Sequence, residues 1–187
     1  MLRRVVFLVT GLQAAGKSTV GPLLTARMRP PAASFDGDVL HGMVKIGREV
    51  MTPLPSEEAL RQLRARYEGA ALLAQHYVDH GFDFVYNDIV LGSYVAEWMD
   101  SVRDAERHLI VLAPSIDTLV NRELGRGGGN SYRDWQQSGD SLADAVRSMS
   151  RALDETPRRG LWIDTSDQNA DEVVESILAD DMHSSLY

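Results

Sequence analysis

Val5-Val6-Phe7-Leu8-Val9-Thr10-Gly11-Leu12-Gln13-Ala14-Ala15-Gly16-Lys17-Ser18-Thr19 decides how the rest of the chain is read. The opening Val5–Val9 run is apolar and valine-rich, which suits a strand buried on both faces. Gly11 to Ser18 then matches the spacing G-x-x-x-x-G-K-[ST]. Glycines let the backbone curl so that successive N–H groups point at phosphate oxygens. A helix beginning near Gly16 adds its positive N-terminal end. Its apolar repeat, Val20, Leu23, Leu24 and Met28, gives the strand–loop–helix context that the spacing needs. Gly11, Ala14, Ala15, Gly16, Lys17, Ser18 and Thr19 are therefore expected to cradle nucleotide phosphates. Lys17 reaches the β- and γ-phosphates, and the Ser18 hydroxyl ligates Mg²⁺. Pro22 lies about a turn inside this helix, where a local kink is expected.

Composition sets the outer bounds. A chain of 187 residues, 44% apolar and 25% charged, is enough for one compact domain spanning residues 1–187. A net charge of −8 argues against a surface built to hold a nucleic-acid backbone. With no cysteine there are no disulfides, thiolate metal sites or thiol nucleophiles. Met1-Leu2-Arg3-Arg4 leads into an apolar run too short for a signal core or a membrane span. A cytoplasmic protein without membrane partners is expected.

Strand and helix patterns alternate along the chain, the signature of an α/β domain with a parallel sheet covered on both faces. Further strands are expected at Ala33–Asp36, Phe82–Tyr86, His108–Leu112 and Leu161–Asp164, making five. A short helix is read over Val39–Arg48. Ser56 caps a long one running to about His80, with Leu60, Leu63, Tyr67, Ala70, Ala71, Ala74 and Val78 on one face. Helical patterns also cover Tyr94–Val102, Ile116–Leu124, Leu142–Leu153 and Val173–Leu178. Residues 125–140 are glycine-rich and polar and read as a short lid.

Ligands of such sheets bind beyond the carboxyl ends of the strands, so the polar residues there are the candidates. Asp38, just past the second strand, suits a carboxylate that orients an alcohol and accepts its proton; capping the next helix is its other reading. Asp36 shares the candidacy. Asp88 ends the third strand, where a carboxylate commonly holds the Mg²⁺ shell, and a plain turn aspartate is the alternative. Asn87 and His41 are candidate substrate contacts, with a surface role equally open for His41. Arg122 and Arg126, four apart on one helix face, suit clamping of phosphate oxygens under a closing lid. Arg133 is a weaker candidate for the same task. His76 and His80 have metal-pair spacing but lie opposite the apolar face of their helix, so solvated histidines are expected. Trp98, Trp135 and Trp162 are too scattered for a base-stacking platform.

Taken together, Gly11–Ser18, Asp36-Gly37-Asp38, Asn87-Asp88-Ile89-Val90-Leu91-Gly92, Arg122-Glu123-Leu124-Gly125-Arg126-Gly127 and Asp164-Thr165-Ser166 resemble the small P-loop kinases. The likeness runs over nearly the whole length, and the most similar group is that of chloramphenicol phosphotransferase. It implies a P-loop NTPase fold with ATP and Mg²⁺ as cofactors. It further implies Asp38 as general base, Arg122 and Arg126 as lid arginines, and a loop after Asp164 that packs near adenine. The Gly-Asp segment is also similar to gluconate and adenylylsulfate kinases, and the residues between Met43 and Tyr67 depart from all of these patterns. The function expected is phosphorylation of a hydroxyl on a small molecule, such as an antibiotic, by a monomer or homodimer. A metabolic kinase for a sugar acid or nucleoside shares every residue named. A regulatory nucleotide-binding module and a polynucleotide 5′-kinase are the remaining readings, the second disfavoured by the acidic charge.

Overall fold

The computed structural model describes residues 3–127 and 131–187, with the side chains of residues 180 and 181 left aside. Five parallel strands, β1 (Arg4–Gly11), β2 (Ala32–Asp36), β3 (Asp83–Asn87), β4 (Ala105–Leu112) and β5 (Leu161–Ile163), stand in the order β2-β3-β1-β4-β5. The valine-rich run is thus central, paired on both edges, which is why it carries no polar side chain before Thr10.

Alternate residues of β1 feed two cores. Val6 and Leu8 pack with Phe84, Tyr86, Leu109 and Val111 under α3 (Glu57–Asp79) and α4 (Tyr94–Ser101). Phe7 and Val9 pack with Val85, Ile110 and Ile163 on the other face. That face is covered by α1 (Lys17–Ala26), α5 (Ile116–Gly125), α6 (Leu142–Asp154) and α7 (Ala170–Leu178). The α/β architecture read from the sequence is the one observed.

β4 and α7 each begin three residues before their expected bounds, and two departures reach further. The helix expected over Val39–Arg48 is α2 (Gly37–Met43), shorter and two residues earlier. The Asp36 side chain accepts from the Asp38 N–H and starts it, and Val44 leaves in an extended conformation. Val39, Met43 and Ile46 are exposed, so extending the helix would bury no apolar face to sustain it. Beyond α7, a 3-10 segment over Ala179–Ser185 brings Leu186 back to bridge His108 on β4. His108 is buried between Ser185 Oγ and Glu106, and burial lowers its pKa. No periodicity in the sequence announces this tail. Of the glycine-rich segment, residues 128–130 lie outside the described residues; a 3-10 turn, Arg133–Trp135, follows them.

α1 runs through Pro22 without a break. Its neighbour Gly21 has a clearer purpose. A Cβ there would lie 2.5 Å from Asn87 Oδ1, so the helix meets the end of β3 with no room for a side chain. Alanine ordinarily favours a helix interior over glycine by about 1 kcal/mol. Here the sign should reverse. Gly21→Ala is expected to destabilise the protein by about 1–3 kcal/mol through overpacking, read as a lower urea midpoint.

Candidate active site

The loop between β1 and α1 takes its shape from three residues with positive φ: Gly11 at 145°, Ala14 at 62° and Gly16 at 104°. A side chain at Gly11 would run into the Leu112 carbonyl of β4, so only glycine lets the loop leave the sheet here. Lys17 folds back under the loop, and its Nζ donates to the Leu12 carbonyl at 2.8 Å. Desolvation lowers its pKa from 10.5 to about 8; the fields of Asp88, Asp38 and Asp36 oppose that shift, and Arg126 adds to it. All three candidate carboxylates and one candidate arginine thus converge on this ammonium. Ser18 and Thr19 are exposed at the start of α1.

The carboxylates have different employments. Asp36 Oδ1 accepts from the Asp38 N–H at 2.9 Å, and its Oδ2 accepts from Asn87 Nδ2 at 2.7 Å. Asp36 and Asn87 therefore satisfy one another and tie β2 to β3. Neither lines a cavity. Asp38, freed from the capping role by Asp36, is exposed and faces the larger of two cavities together with His41. Burial lowers the His41 pKa, and Arg66 and Arg48 add to the effect.

Asp88 is buried. Its Oδ1 accepts from the Ile89 N–H at 2.7 Å, and its Oδ2 accepts from the Tyr86 hydroxyl at 2.6 Å. Arg66 Nε lies 3.2 Å from the same Oδ2. The Tyr86 hydroxyl is pushed well above its usual pKa, by burial first and then by Asp88. Gly37, at the start of α2, packs directly on the Asp88 carboxylate and leaves no space for a Cβ.

Arg66 was not among the residues singled out by sequence. Its signal lay in helical spacing: it sits three residues after Leu63 and four before Ala70, on the buried stripe of α3. A cation there needs a buried anion, and Asp88 is that anion.

Arg122 and Arg126 face the same space. Both line a second cavity of about 420 Å³ with Ala14, Ala15, Gly16 and Thr19. Arg122 donates to the Thr165 carbonyl at 2.6 Å and to the Ala15 carbonyl at 3.4 Å, joining the segment after β5 to the phosphate loop. Arg126 is half-exposed, 3.8 Å from the buried Glu123 carboxylate. Glu123 also accepts from the Ser131 N–H at 2.6 Å, and the Tyr132 hydroxyl donates to the Gln13 carbonyl at 2.6 Å. The residues after the glycine run are thereby fastened to both α5 and the phosphate loop. Arg133 is exposed and lines neither cavity. His76 and His80 are exposed, and among the described residues no group of three metal-ligating side chains forms. No helix among the described residues is long and apolar enough to cross a membrane.

No family model matches the chain, and no curated protein does. Solved structures do. A sugar kinase from Janibacter sp. HTCC2649 superposes with a TM-score of 0.64 at 14% identity, over 98% of this chain and 97% of that one. A gluconokinase from Sinorhizobium meliloti 1021 gives 0.61 at 19% identity, over 95% and 92%. The Mycobacterium tuberculosis APS kinase, in complex with AMPPNP and APS, gives 0.63 at 16% identity, over 95% and 96%. At these identities the likeness establishes the fold alone, the α/β fold that these kinases share.

The buried ammonium makes a stability prediction. The Lys17 pKa is lowered on folding, so the charged form costs stability in full below about pH 8, and that cost fades as pH rises toward 10.5. In the absence of nucleotide, Lys17→Met is expected to raise the urea midpoint at pH 7. Its advantage should shrink by pH 10.

Proposed function

We propose that the protein is an ATP- and Mg²⁺-dependent kinase that transfers the γ-phosphoryl group to a hydroxyl of a small molecule. The observation that carries this reading is Asp38. It is an exposed carboxylate in the wall of a large cavity, next to the lysine of the phosphate loop and released from helix capping by Asp36.

In this reading the backbone from Gly11 to Thr19 and Lys17 hold the β- and γ-phosphates. The nucleoside lies in the smaller cavity, between the loop and the segment after β5. Asp38 accepts the proton of the acceptor hydroxyl as its oxygen bonds to the γ-phosphorus. The bond from that phosphorus to the β–γ bridging oxygen breaks, and ADP leaves. Arg126, with Arg122 behind it, stabilises the equatorial oxygens as charge spreads over them.

Mg²⁺ keeps much of its water and takes few protein ligands. The residues fit such an ion: the Ser18 hydroxyl is open, and acidic groups surround Lys17. When bound, the ion neutralises charge on the β- and γ-oxygens. Asp88 already serves Arg66, Tyr86 and the Ile89 N–H, so it would act on the ion through water rather than as a direct ligand. The reading takes residues 1–187 as one domain, in a monomer or homodimer, acting on a small molecule rather than on nucleic acid or membrane.

The test is ADP release from Mg-ATP across hydroxyl-bearing antibiotics, sugar acids, sugars and nucleosides. At least one acceptor should stimulate release, and Asp38→Ala should lower that turnover by about 10²–10⁴-fold with ATP binding unchanged. Equal release by wild type and Asp38→Ala on every compound would end the proposal.

A further inference from the structure

The larger cavity differs in character from the phosphate site it adjoins. It encloses about 860 Å³, within the range of pockets for drug-sized ligands. Met43, Ile46, Val50, Tyr67, Tyr94 and Trp135 contribute apolar or aromatic surface to its wall. The first three lie on the stretch from the end of α2 to α3 and are exposed, Ile46 to 94%. That stretch is not a loose loop. Gln62 of α3 donates to the Gly47 carbonyl at 2.8 Å and accepts from the Glu49 N–H at 3.0 Å. Ser56 adds a contact from its hydroxyl to the Glu49 carboxylate. Apolar side chains held at the rim of a cavity, with water as their present neighbour, gain by covering with apolar ligand surface.

Charge narrows the class further. The wall contains two arginines, and both are engaged. Arg61 grips Glu58 through two nitrogens at 2.7 and 2.6 Å, and Arg66 lies against Asp88 at 3.2 Å. Burial, then Arg66 and Arg48, lower the His41 pKa against the opposing fields of Asp38 and Asp88, and Arg48 itself is exposed and outside the wall. Asp38, Glu49, Asp134 and Glu155 in the same wall form no ion pair among the described residues. A carboxylate or sulfate on the acceptor would enter a negative field and, among the described residues of the wall, meet no arginine that lacks an anionic partner.

We infer that the acceptor is a bulky, predominantly apolar alcohol bearing no anionic group, and that Met43, Ile46 and Val50 are specificity-determining residues for it. The inference rests on the kinase reading, since the cavity is an acceptor site only if phosphoryl transfer occurs at Asp38. It separates this chain from a kinase for a sugar acid.

The experiment is calorimetric titration of the protein, loaded with AMPPNP and Mg²⁺, using acceptors matched in size. Three neutral fused-ring aryl ethers of propane-1,2-diol are compared with the same compounds carrying a ring carboxylate, and with D-gluconate. At least one neutral diol should bind tenfold or more tightly than its carboxylate counterpart and than gluconate. Met43→Asp and Ile46→Asp, at exposed positions that fold without them, should each weaken that diol about tenfold and leave AMPPNP affinity unchanged. Carboxylates or gluconate binding as tightly, no neutral diol binding, or indifference to both substitutions would overturn the inference. ADP release from Mg-ATP is then read on the same compounds. A diol that binds with the expected selectivity but never releases ADP refutes the kinase reading and leaves the ligand class standing.

Discussion

A lysine ammonium held beneath a backbone loop is the constraint on which the rest of the site depends. Removing it from water is unfavourable, enough to lower its pKa to about 8 even with three carboxylates nearby. The Leu12 carbonyl takes one of its protons, at 2.8 Å. What remains is positive charge that, in the proposed reading, meets the β- and γ-phosphates, whose binding would raise that pKa again. Asp36 and Asp88 are each held by hydrogen bonds to other groups, so neither is free to swing onto Lys17 and neutralise its charge.

The fold fixes them by close approach rather than by bulk. Gly37 lets α2 start directly on the Asp88 carboxylate, and Gly21 lets α1 lie against Asn87, which in turn holds Asp36. Arg66 reaches Asp88 from α3, so a buried anion is matched before any ligand arrives. The same loop separates the two cavities. Gln13 faces the large apolar one, and the next three residues, Ala14, Ala15 and Gly16, face the smaller one. In the proposed reading, a phosphoryl group gripped at the loop would stand between donor and acceptor spaces, as in-line transfer requires.

The parts legible in the sequence were those set by local periodicity and by backbone geometry. The valine-rich strand, the glycine spacing and the apolar stripe of α3 each encode one element through its own residues. Leu60 was read onto that stripe, and Ala59 takes its place in the core, a shift of one position on a long helix. The backbone turn from Gly11 to Gly16 was legible for the same reason. Sequence put Asp38 ahead of Asp36 without the contact that distinguishes them, because that contact is with Asn87, 51 residues away from Asp36. Arg66 and Trp135 were missed on similar grounds. Each reaches its cavity through tertiary packing, and neither belongs to a spaced motif.

The contrast between Asp36 and Asp38 bears on how the site should be understood. A single hydrogen bond, from the Asp38 N–H to Asp36 Oδ1, caps α2 and also sets the backbone from which the Asp38 side chain projects. With its other oxygen, Asp36 holds Asn87 and so fixes that backbone relative to the sheet and to α1. The position of the proposed base is therefore determined by β3 and α1 as much as by its own segment. Capping is then part of the catalytic geometry. A carboxylate at residue 36 orients the one at residue 38 without touching the acceptor, which is why two aspartates two residues apart need not share a role.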